Sequence, residues 1–345
     1  MRVMLIILNN YFHVVKETSA NIFISCTNRF YKYILVFLII FCSTNFRSTN
    51  VVKDKNISRK EYFKNFVNTN IVKIRWRGSV KRCGEGKLSD KVLSNALRRI
   101  NYFRKLVGVD SVYLDPALNA KAQKAALIMQ ANSTLSHFPK EAWKCYSEEG
   151  AVAAKNSNIG YLDLDTRPNI GIVAGLIEDW GQENYYCGHR RWLLYSRAEE
   201  MGYGATDKLE VIYVITQFKN TAHEELPEYI AYPPAGYVPV NLVFPKWSFS
   251  IPDIHEVNFS MTNVNLQDSS GEDIPIKIFS LKENIGDPTI TWEVSGLFSN
   301  YDIKYGLNEL ETKSIIDSPI TVDLSDVIVD GKFKNFRYQV IIYKP

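Results

Sequence analysis

Apolar positions at helical spacing predict two helices in the first half of the chain. Ser89-Asp90 can cap the first helix, and Gly108 is a natural stop after it. Its apolar positions recur as on one face of a helix: Val92, Leu93, Ala96, Leu97, Ile100, Phe103 and Leu106. A second helix opens at Asp115-Pro116, with aspartate as the cap and proline in the first turn, and ends near Asn132. Its alanine-rich apolar stripe predicts close packing against a neighbouring element.

Helices give way to strands further along. A third helix is predicted over Pro168–Trp180 and a short fourth helix over Arg190–Leu194. Met201–Gly204 and Leu209–Thr216 have the short apolar runs that are typical of strands. Because the helices precede the strands, we predict an α+β domain, which we place at residues 89–226.

A proline-rich stretch marks a change of pattern after this domain. Pro227, Pro233, Pro234 and Pro239 fall within residues 227–240, and Pro245 follows, which is typical of a domain junction. Short β runs separated by turns come next: Trp247–Ile251, Val257–Met261, Ile274–Phe279, Thr289–Val294, Ile320–Leu324 and Phe336–Ile342. They predict an antiparallel β-sandwich at residues 227–345, which we interpret as a binding or spacer module.

The N-terminal region has the pattern of an export segment. Arg29 and Lys32 precede an apolar run at residues 33–42, and small polar residues follow at once. A run of about ten residues is short for a membrane span, which needs about 20. We therefore predict that residues 1–45 hold a cleaved signal sequence, with a membrane anchor at residues 33–42 as the alternative. Residues 1 to about 28 are an over-extended start in this interpretation, and residues 46–88 form a linker or arm.

Composition and charge fit a folded, exported protein. Apolar residues make up 46% of the chain and aromatic residues 13%, which excludes wholesale disorder. The formal net charge is +4. Residues 1–45 contribute four basic side chains and one acidic side chain, so the exported part is near +1. This balance argues against a nucleic-acid surface, and it leaves the N-terminal segment as the only predicted membrane contact.

Three cysteines remain beyond the predicted signal sequence. In an oxidising compartment two of them can pair, and we favour Cys83 with Cys145, which would attach the arm to the first domain. Cys187 is the alternative partner or a free thiol. The three cysteines have no CxxC spacing, so they make a poor structural zinc site.

The sequence Cys187-Gly188-His189-Arg190-Arg191-Trp192 concentrates candidate chemistry. His137 lies 52 residues earlier, and imidazole is both the commonest metal ligand and the usual proton carrier near neutral pH. Adjacent helical residues point about 100° apart, so we predict that one of the two arginines pairs with Asp179 or Glu178 and that the other is solvated. We predict core positions for Trp180 and Trp192. The chain has no HExxH, P-loop, GxSxG or dinucleotide motif.

Several of these segments together resemble the CAP superfamily, in its bacterial branch, over about residues 90–217. CAP stands for cysteine-rich secretory proteins, antigen 5 and pathogenesis-related proteins. The resemblance rests on Asn101–Arg104, Leu114–Gln123, Leu135-Ser136-His137, a W-x-x-E segment at Trp180–Glu183, and GHRRW. It implies an α-β-α sandwich with a cleft between helices and sheet, and it implies export. The predicted fold is therefore α+β: a CAP-type α-β-α sandwich followed by a C-terminal antiparallel β-sandwich.

The resemblance also implies a set of cleft residues. The family cleft typically holds two histidines and two glutamates, which bind a divalent metal in some members. His137 and His189 match the histidines, and Glu183 matches the second glutamate. Ser157 stands where the first glutamate usually lies, which makes the set incomplete. A nearby carboxylate, Glu149 or its neighbour Glu148, could reach the cleft instead.

Two functions fit these observations. The first, which we favour, is a secreted or surface-attached protein that binds a small ligand, lipid, glycan or peptide in the histidine-containing cleft, with an extracellular or cell-surface partner. The alternative is a metal-assisted hydrolase of peptides or cell-wall material that uses His137, Glu183 and His189 as ligands of an ion such as zinc. Because fold does not dictate chemistry, the resemblance does not choose between them.

Overall fold

The computed structural model describes residues 53–165, 167, 170–219, 226–294 and 315–345. These residues belong to one compact unit, which spans residues 47–345. The predicted signal sequence or anchor at residues 1–45 lies outside the described residues. Within the part of the chain that is described, no helix is both long and apolar enough to cross a membrane.

Helices and strands are numbered here in chain order over the described residues. The helices are α1 Lys55–Asn65, α2 Asp90–Leu106, α3 Pro116–Asn132, α4 Glu148–Lys155, α5 Gly171–Glu178 and α6 Gly188–Leu193. The strands of the first half are β1 Tyr113–Leu114, β2 Ser157–Tyr161, β3 Glu200–Ala205 and β4 Leu209–Tyr213. The later strands are β5 Ile230–Tyr232, β6 Gly236–Pro239, β7 Lys246–Ser250, β8 Val257–Asn258, β9 Asn263–Gln267, β10 Ile276–Ile278, β11 Thr289–Val294, β12 Pro319–Val329 and β13 Lys332–Tyr343.

The caps predicted from the sequence begin α2 and α3. The Ser89 hydroxyl accepts a hydrogen bond from the Val92 amide at 3.4 Å, and the Asp115 carboxylate accepts one from the Leu118 amide at 2.8 Å. Each bond satisfies an amide that has no partner within its helix. The bounds predicted for these two helices are confirmed.

The first sheet lies between two layers of helices. Its strand order is β1-β3-β4-β2, and β1 pairs with β3 in parallel while the other pairs are antiparallel. Along β4, Leu209, Val211 and Tyr213 pack in the core formed with α3 and α4. Ile212 and Val214 pack in the core that contains α2 and α5. Alternating side chains of one strand thus face opposite helix layers, and the predicted α-β-α sandwich is confirmed.

Two glycines let α3 approach this sheet closely. A Cβ atom at Gly202 would lie 2.4 Å from the Leu118 carbonyl carbon, and one at Gly204 would lie 2.4 Å from that of Ala122. No side chain fits at such distances. The two glycines of β3 therefore let the backbone of α3 lie directly against the sheet, which is the close packing that the alanine-rich stripe predicts.

The C-terminal half is β-rich. One sheet has the order β10-β11-β7-β5, and the other has the order β6-β13-β12-β8, with β9 also paired to β12. Phe249 on β7 lies against Phe336 and Tyr338 on β13, with ring centroids 5.0 and 6.4 Å away. The predicted antiparallel β architecture is confirmed for most strand pairs, but β6 pairs with β13 in parallel.

One continuous core joins the two halves. Phe103 on α2 lies 6.5 Å from the ring of Tyr232 on β5, and both belong to the same cluster of buried apolar side chains. The segment predicted as a linker or arm contains α1, which packs against β6. Ser58 on α1 donates a hydrogen bond to the Tyr237 carbonyl at 2.9 Å. The domain limits at residues 88/89 and 226/227 stay a prediction.

The Cys83–Cys145 disulfide is present, as predicted. The two Cα atoms lie 5.1 Å apart, within the usual range for a disulfide. It attaches the segment before α2 to the loop between α3 and α4. Cys187 is a free, buried thiol, and burial raises its pKa.

Candidate functional site

His189 is held by a carboxylate at the end of the preceding helix. Asp179 follows α5 in the left-handed conformation (φ 57°), which ends that helix two residues from its predicted limit. Its carboxylate lies 2.7 Å from His189 Nδ1 and accepts the Arg190 amide at 3.2 Å. Asp179 thereby fixes both the His189 ring and the start of α6.

This pairing changes the protonation of His189. Burial lowers its pKa, but the charge of Asp179 and the hydrogen bond to it act in the opposite direction and prevail. The net result is a pKa raised above the ordinary 6.5. Because Nδ1 is bonded to Asp179, Nε2 is the ring nitrogen through which His189 can bind another group.

A second carboxyl group, Glu210 on β4, lies in the same region. It is 2% exposed, and both of its oxygens accept the Val173 amide at 3.0 Å. It also accepts the Tyr203 hydroxyl at 3.1 Å. Burial raises its pKa to about 7, although these hydrogen bonds and the charges of Arg99 and His189 oppose the rise. Glu210 is therefore a group that changes charge near neutral pH.

The Val173 amide reaches Glu210 because α5 begins with a kink. Val173 has φ 70°, a conformation that a β-branched residue rarely adopts. Arg99 on α2 donates hydrogen bonds to the carbonyls of Ile170 and Ile172 at 2.5 and 2.9 Å, on the other side of this kink. Strained backbone of this kind persists only where the surroundings enforce it, and it occurs preferentially at functional sites.

These groups line a cleft of about 450 Å³. Its polar wall consists of His189, Asp179, Glu210, Asp163, Asn184 and Arg167, and the Arg167 guanidinium is paired to Glu178. The apolar part includes Leu135, Ile159, Tyr161, Leu176 and Trp180. The volume is in the range of small-molecule sites, and the mixture of apolar walls with a few polar groups is typical of them.

The other histidine named by the sequence lies outside this wall. His137 is exposed, and its Nδ1 lies 2.9 Å from the carbonyl oxygen of Ala154 on α4. Leu135, two residues earlier, does line the cleft. Glu183 is also exposed and is not among the described lining residues. The structure therefore brings neither His137 nor Glu183 to the cleft wall beside His189.

The remaining candidates have local partners. Ser157 is buried, and its hydroxyl donates to the Ala153 carbonyl at 2.6 Å. Glu149 forms an exposed ion pair with Lys124, and Glu148 accepts the Tyr146 hydroxyl at 2.9 Å. Over the described residues, no group of three or more His, Cys, Asp or Glu side chains is placed to hold a metal ion. The predicted ligand set does not fit an ion in this arrangement, and metal binding stays a prediction.

The prediction for Arg190 and Arg191 is wrong, because both are buried and both donate to carbonyl oxygens. Arg190 donates to Ile177, Lys246 and Glu178 at 2.7, 2.8 and 3.3 Å. Arg191 donates to the carbonyls of residues 282 and 287 at 2.8 and 3.1 Å. The two side chains thus join α6 to the C-terminal strands and loops. Helical spacing gives their directions, but it does not show that a second layer of chain covers both.

The two tryptophans differ from one another. Trp192 is partly buried and stacks on Phe218, with ring centroids 6.1 Å apart. Trp180 is 46% exposed and lies at the edge of the cleft, so its predicted core position is wrong. The early end of α5 at Asp179 places Trp180 beyond the helix.

Sequence reasoning missed Asp179 as the partner of His189, and it missed Glu210 entirely. A signal for Glu210 was present, because it is the one acid in the apolar run Leu209–Tyr213. A glutamate is almost never fully buried unless it has a bonding partner, so this position indicates a buried carboxyl with a specific role. Asp179 offered no comparable signal, since acids are common at helix ends.

One known protein family matches the first half of the described fold. Residues 97–216 match the model of the cysteine-rich secretory protein family, CAP. The match covers about a third of the chain, so this part of the protein is similar to a CAP domain.

A solved structure is similar over part of its length. It is an extracellular protein containing an SCP domain from Bacillus anthracis str. Ames, 19% identical, with a TM-score of 0.28. The similarity covers 37% of this chain and 43% of that chain, so less than half of either protein is matched. A comparison with curated proteins gave no match.

Proposed function

We propose that this CAP-domain protein binds a small ligand in the cleft around His189. One observation carries the proposal: the wall of the cleft contains the Asp179–His189 pair and the buried Glu210 carboxyl. Buried ionisable groups reduce stability unless other interactions compensate. Their concentration in a cleft of about 450 Å³ is typical of a site maintained for a ligand.

The wall favours an uncharged ligand with hydroxyl or carbonyl groups. His189 Nε2 can donate to or accept from such a group. Glu210, with a pKa of about 7, supplies a donor when protonated and an acceptor when ionised. Arg167 is already paired with Glu178, which reduces its attraction for an anion.

The residues of the cleft support ligand binding better than catalysis. The described lining residues include no serine, threonine or cysteine that could act as a nucleophile. The nearby Cys187 is fully buried, and burial raises its pKa, which keeps the thiol protonated. The metal-assisted alternative lacks a described three-ligand group, so we derive no catalytic step through a metal.

We further propose that the protein acts outside the cell, secreted or attached to the surface. The Cys83–Cys145 disulfide supports this, because disulfides persist in oxidising compartments. Sequencing the N-terminus of the mature protein from culture medium and from membranes tests the proposal. Cleavage soon after residue 42 supports secretion, a retained segment at residues 33–42 supports the anchor, and a wholly intracellular protein contradicts both.

The binding proposal is tested with three short probes and the full-length chain. The probes are chitobiose, trialanine and decanoate, which represent a neutral sugar, a peptide and a lipid. Titration calorimetry should detect at least one of them, and His189→Ala should weaken that binding by about tenfold or more. His137→Ala is the matched control, and it should leave the affinity within about twofold.

Two results would count against the proposal. One is that none of the probes binds, and the other is that both histidine variants lose affinity equally. Zinc chloride serves as a fourth titrant for the alternative. Stoichiometric zinc binding that disappears in both His137→Ala and His189→Ala would favour a metal centre instead.

A further inference from the structure

A larger groove adjoins the cleft. Its volume is about 620 Å³, and it lies between the turn that follows α5 and strands β7, β10 and β11. Trp180 lines both the groove and the His189 cleft. An elongated molecule could therefore occupy the cleft at one end and cross Trp180 into the groove.

Aromatic side chains line this groove. Trp180 is 46% exposed where the groove meets the cleft. Tyr185 and Phe279 lie further along, with ring centroids 5.9 Å apart and planes inclined by 49°. Aromatic rings therefore line the groove on the CAP side and on the side of the C-terminal sheet, and the Lys277 ammonium lies 5.6 Å from the centroid of the Phe279 ring.

The groove has no net charge at its surface. Lys246 donates to the carbonyls of Asp179, Gly181 and Asn184, so its ammonium is occupied inside the protein. The rim carries the exposed Lys277 and the partly buried Glu293, which are direct cross-strand partners of opposite sign. A rim without net charge attracts neither a phosphate nor an acidic polymer.

We propose that the groove binds a neutral oligosaccharide whose chain continues from the His189 cleft. Sugar rings have apolar C–H faces that pack on aromatic rings, and hydroxyl edges that need donors and acceptors. Gln182 and Ser280 supply both at the groove surface. An acyl chain would cover these polar groups without satisfying them. The inference rests on the proposed function, since it names the ligand class of the same cleft.

Sugars of different chain length distinguish binding in the groove from binding in the cleft. Calorimetry with the full-length protein compares chitobiose with chitohexaose, cellobiose with cellohexaose, and maltose with maltohexaose. We expect one hexaose to bind about tenfold or more tightly than its disaccharide. Phe279→Ala should remove that gain and leave the disaccharide affinity unchanged. Phe333→Ala, an exposed phenylalanine on β13, is the matched control and should keep the gain.

The outcomes distinguish this inference from the proposed function. No gain with length for any sugar, a gain that survives Phe279→Ala, or binding of decanoate alone overturns the inference. If the affinity of the probe that does bind still depends on His189 in those cases, the proposed function stands. Conversely, a gain that needs Phe279, with a disaccharide affinity that does not depend on His189, would show a sugar site in the groove but would overturn both its continuation from the cleft and the proposed function. If Phe279→Ala fails to fold by thermal unfolding, Gln182→Ala at an exposed position replaces it.

Discussion

His189 and His137 have the same standing in the sequence but different surroundings in the molecule. His189 has a side chain only 22% exposed, is bonded to the fully buried Asp179, and shares a cleft wall with Glu210. His137 is exposed and contacts a backbone carbonyl of α4. The comparison shows that a buried carboxylate sets the charge and orientation of His189, which the sequence motif around that histidine does not reveal.

The largest expected effect is on stability, and it comes from Arg190, the side chain that attaches α6 to the rest of the fold. Arg190→Ala should lower the free energy of unfolding by about 5 kcal/mol, since it leaves several buried carbonyls without donors. It also removes a guanidinium that lies 4.5 Å from the Tyr232 ring centroid. Urea denaturation measures the change. Arg77→Ala, at an exposed arginine, should change stability by less than about 0.5 kcal/mol, and an equal loss in both would refute the role of Arg190.

The second test concerns the side of the molecule that carries His137. The Cys83–Cys145 bond closes a loop with a sequence separation of 62 residues. Replacing both cysteines by serine should destabilise the protein by about 4 kcal/mol, through the entropy returned to the unfolded chain. Chemical denaturation of the double variant measures this loss. Stability equal to that of the wild type would show that the loop near His137 is held by other contacts.

The third test uses the pH dependence of stability. Glu210 has a folded pKa of about 7 against an ordinary value of 4.5, so the folded state binds the proton more tightly. Its contribution is fully present below pH 4.5 and is lost as the pH rises through about 7, a change of about 3 kcal/mol. Glu210→Gln should reduce the loss of stability over this pH range by about 3 kcal/mol, while the loss due to Asp287, whose pKa burial also raises to about 7, remains. Unfolding at pH 4.5 and pH 8 measures it, and an unchanged slope in the variant would contradict a buried, protonated Glu210.

The smallest of these effects concerns His189 itself. Asp179→Asn should lower the pKa of His189, because the opposing charge and its hydrogen bond to the ring are weakened. Since the folded pKa is raised, the pair stabilises the protein below pH 6.5, and this contribution disappears as the pH rises through the folded pKa. NMR titration of the His189 ring measures the shift. Asp207→Asn, at an exposed position, is the control, and equal shifts in both variants would refute the pairing.

Much of the fold follows from local rules in the sequence. Ser89 and Asp115 cap their helices as predicted, and Thr289–Val294 has the strand bounds expected from its apolar run. These features depend on neighbours within a few residues, which a sequence pattern contains.

The candidate site follows only in part, because it depends on contacts between distant residues. The position of His189 in a cleft agrees with the resemblance to CAP proteins, whereas Glu210 joins it from a strand 21 residues later. The burial of Arg190 and the exposure of Trp180 depend on where α5 ends and on the C-terminal strands. Periodicity along one helix contains neither piece of information.

Parallel titrations of two variants test the central claim most directly. The full-length wild type, His189→Ala and His137→Ala are titrated with whichever of chitobiose, trialanine and decanoate the wild type binds. We predict a loss of about tenfold or more for His189→Ala and a change within about twofold for His137→Ala. Equal losses in the two variants, or a loss confined to His137→Ala, would contradict a ligand site built on Asp179, His189 and Glu210.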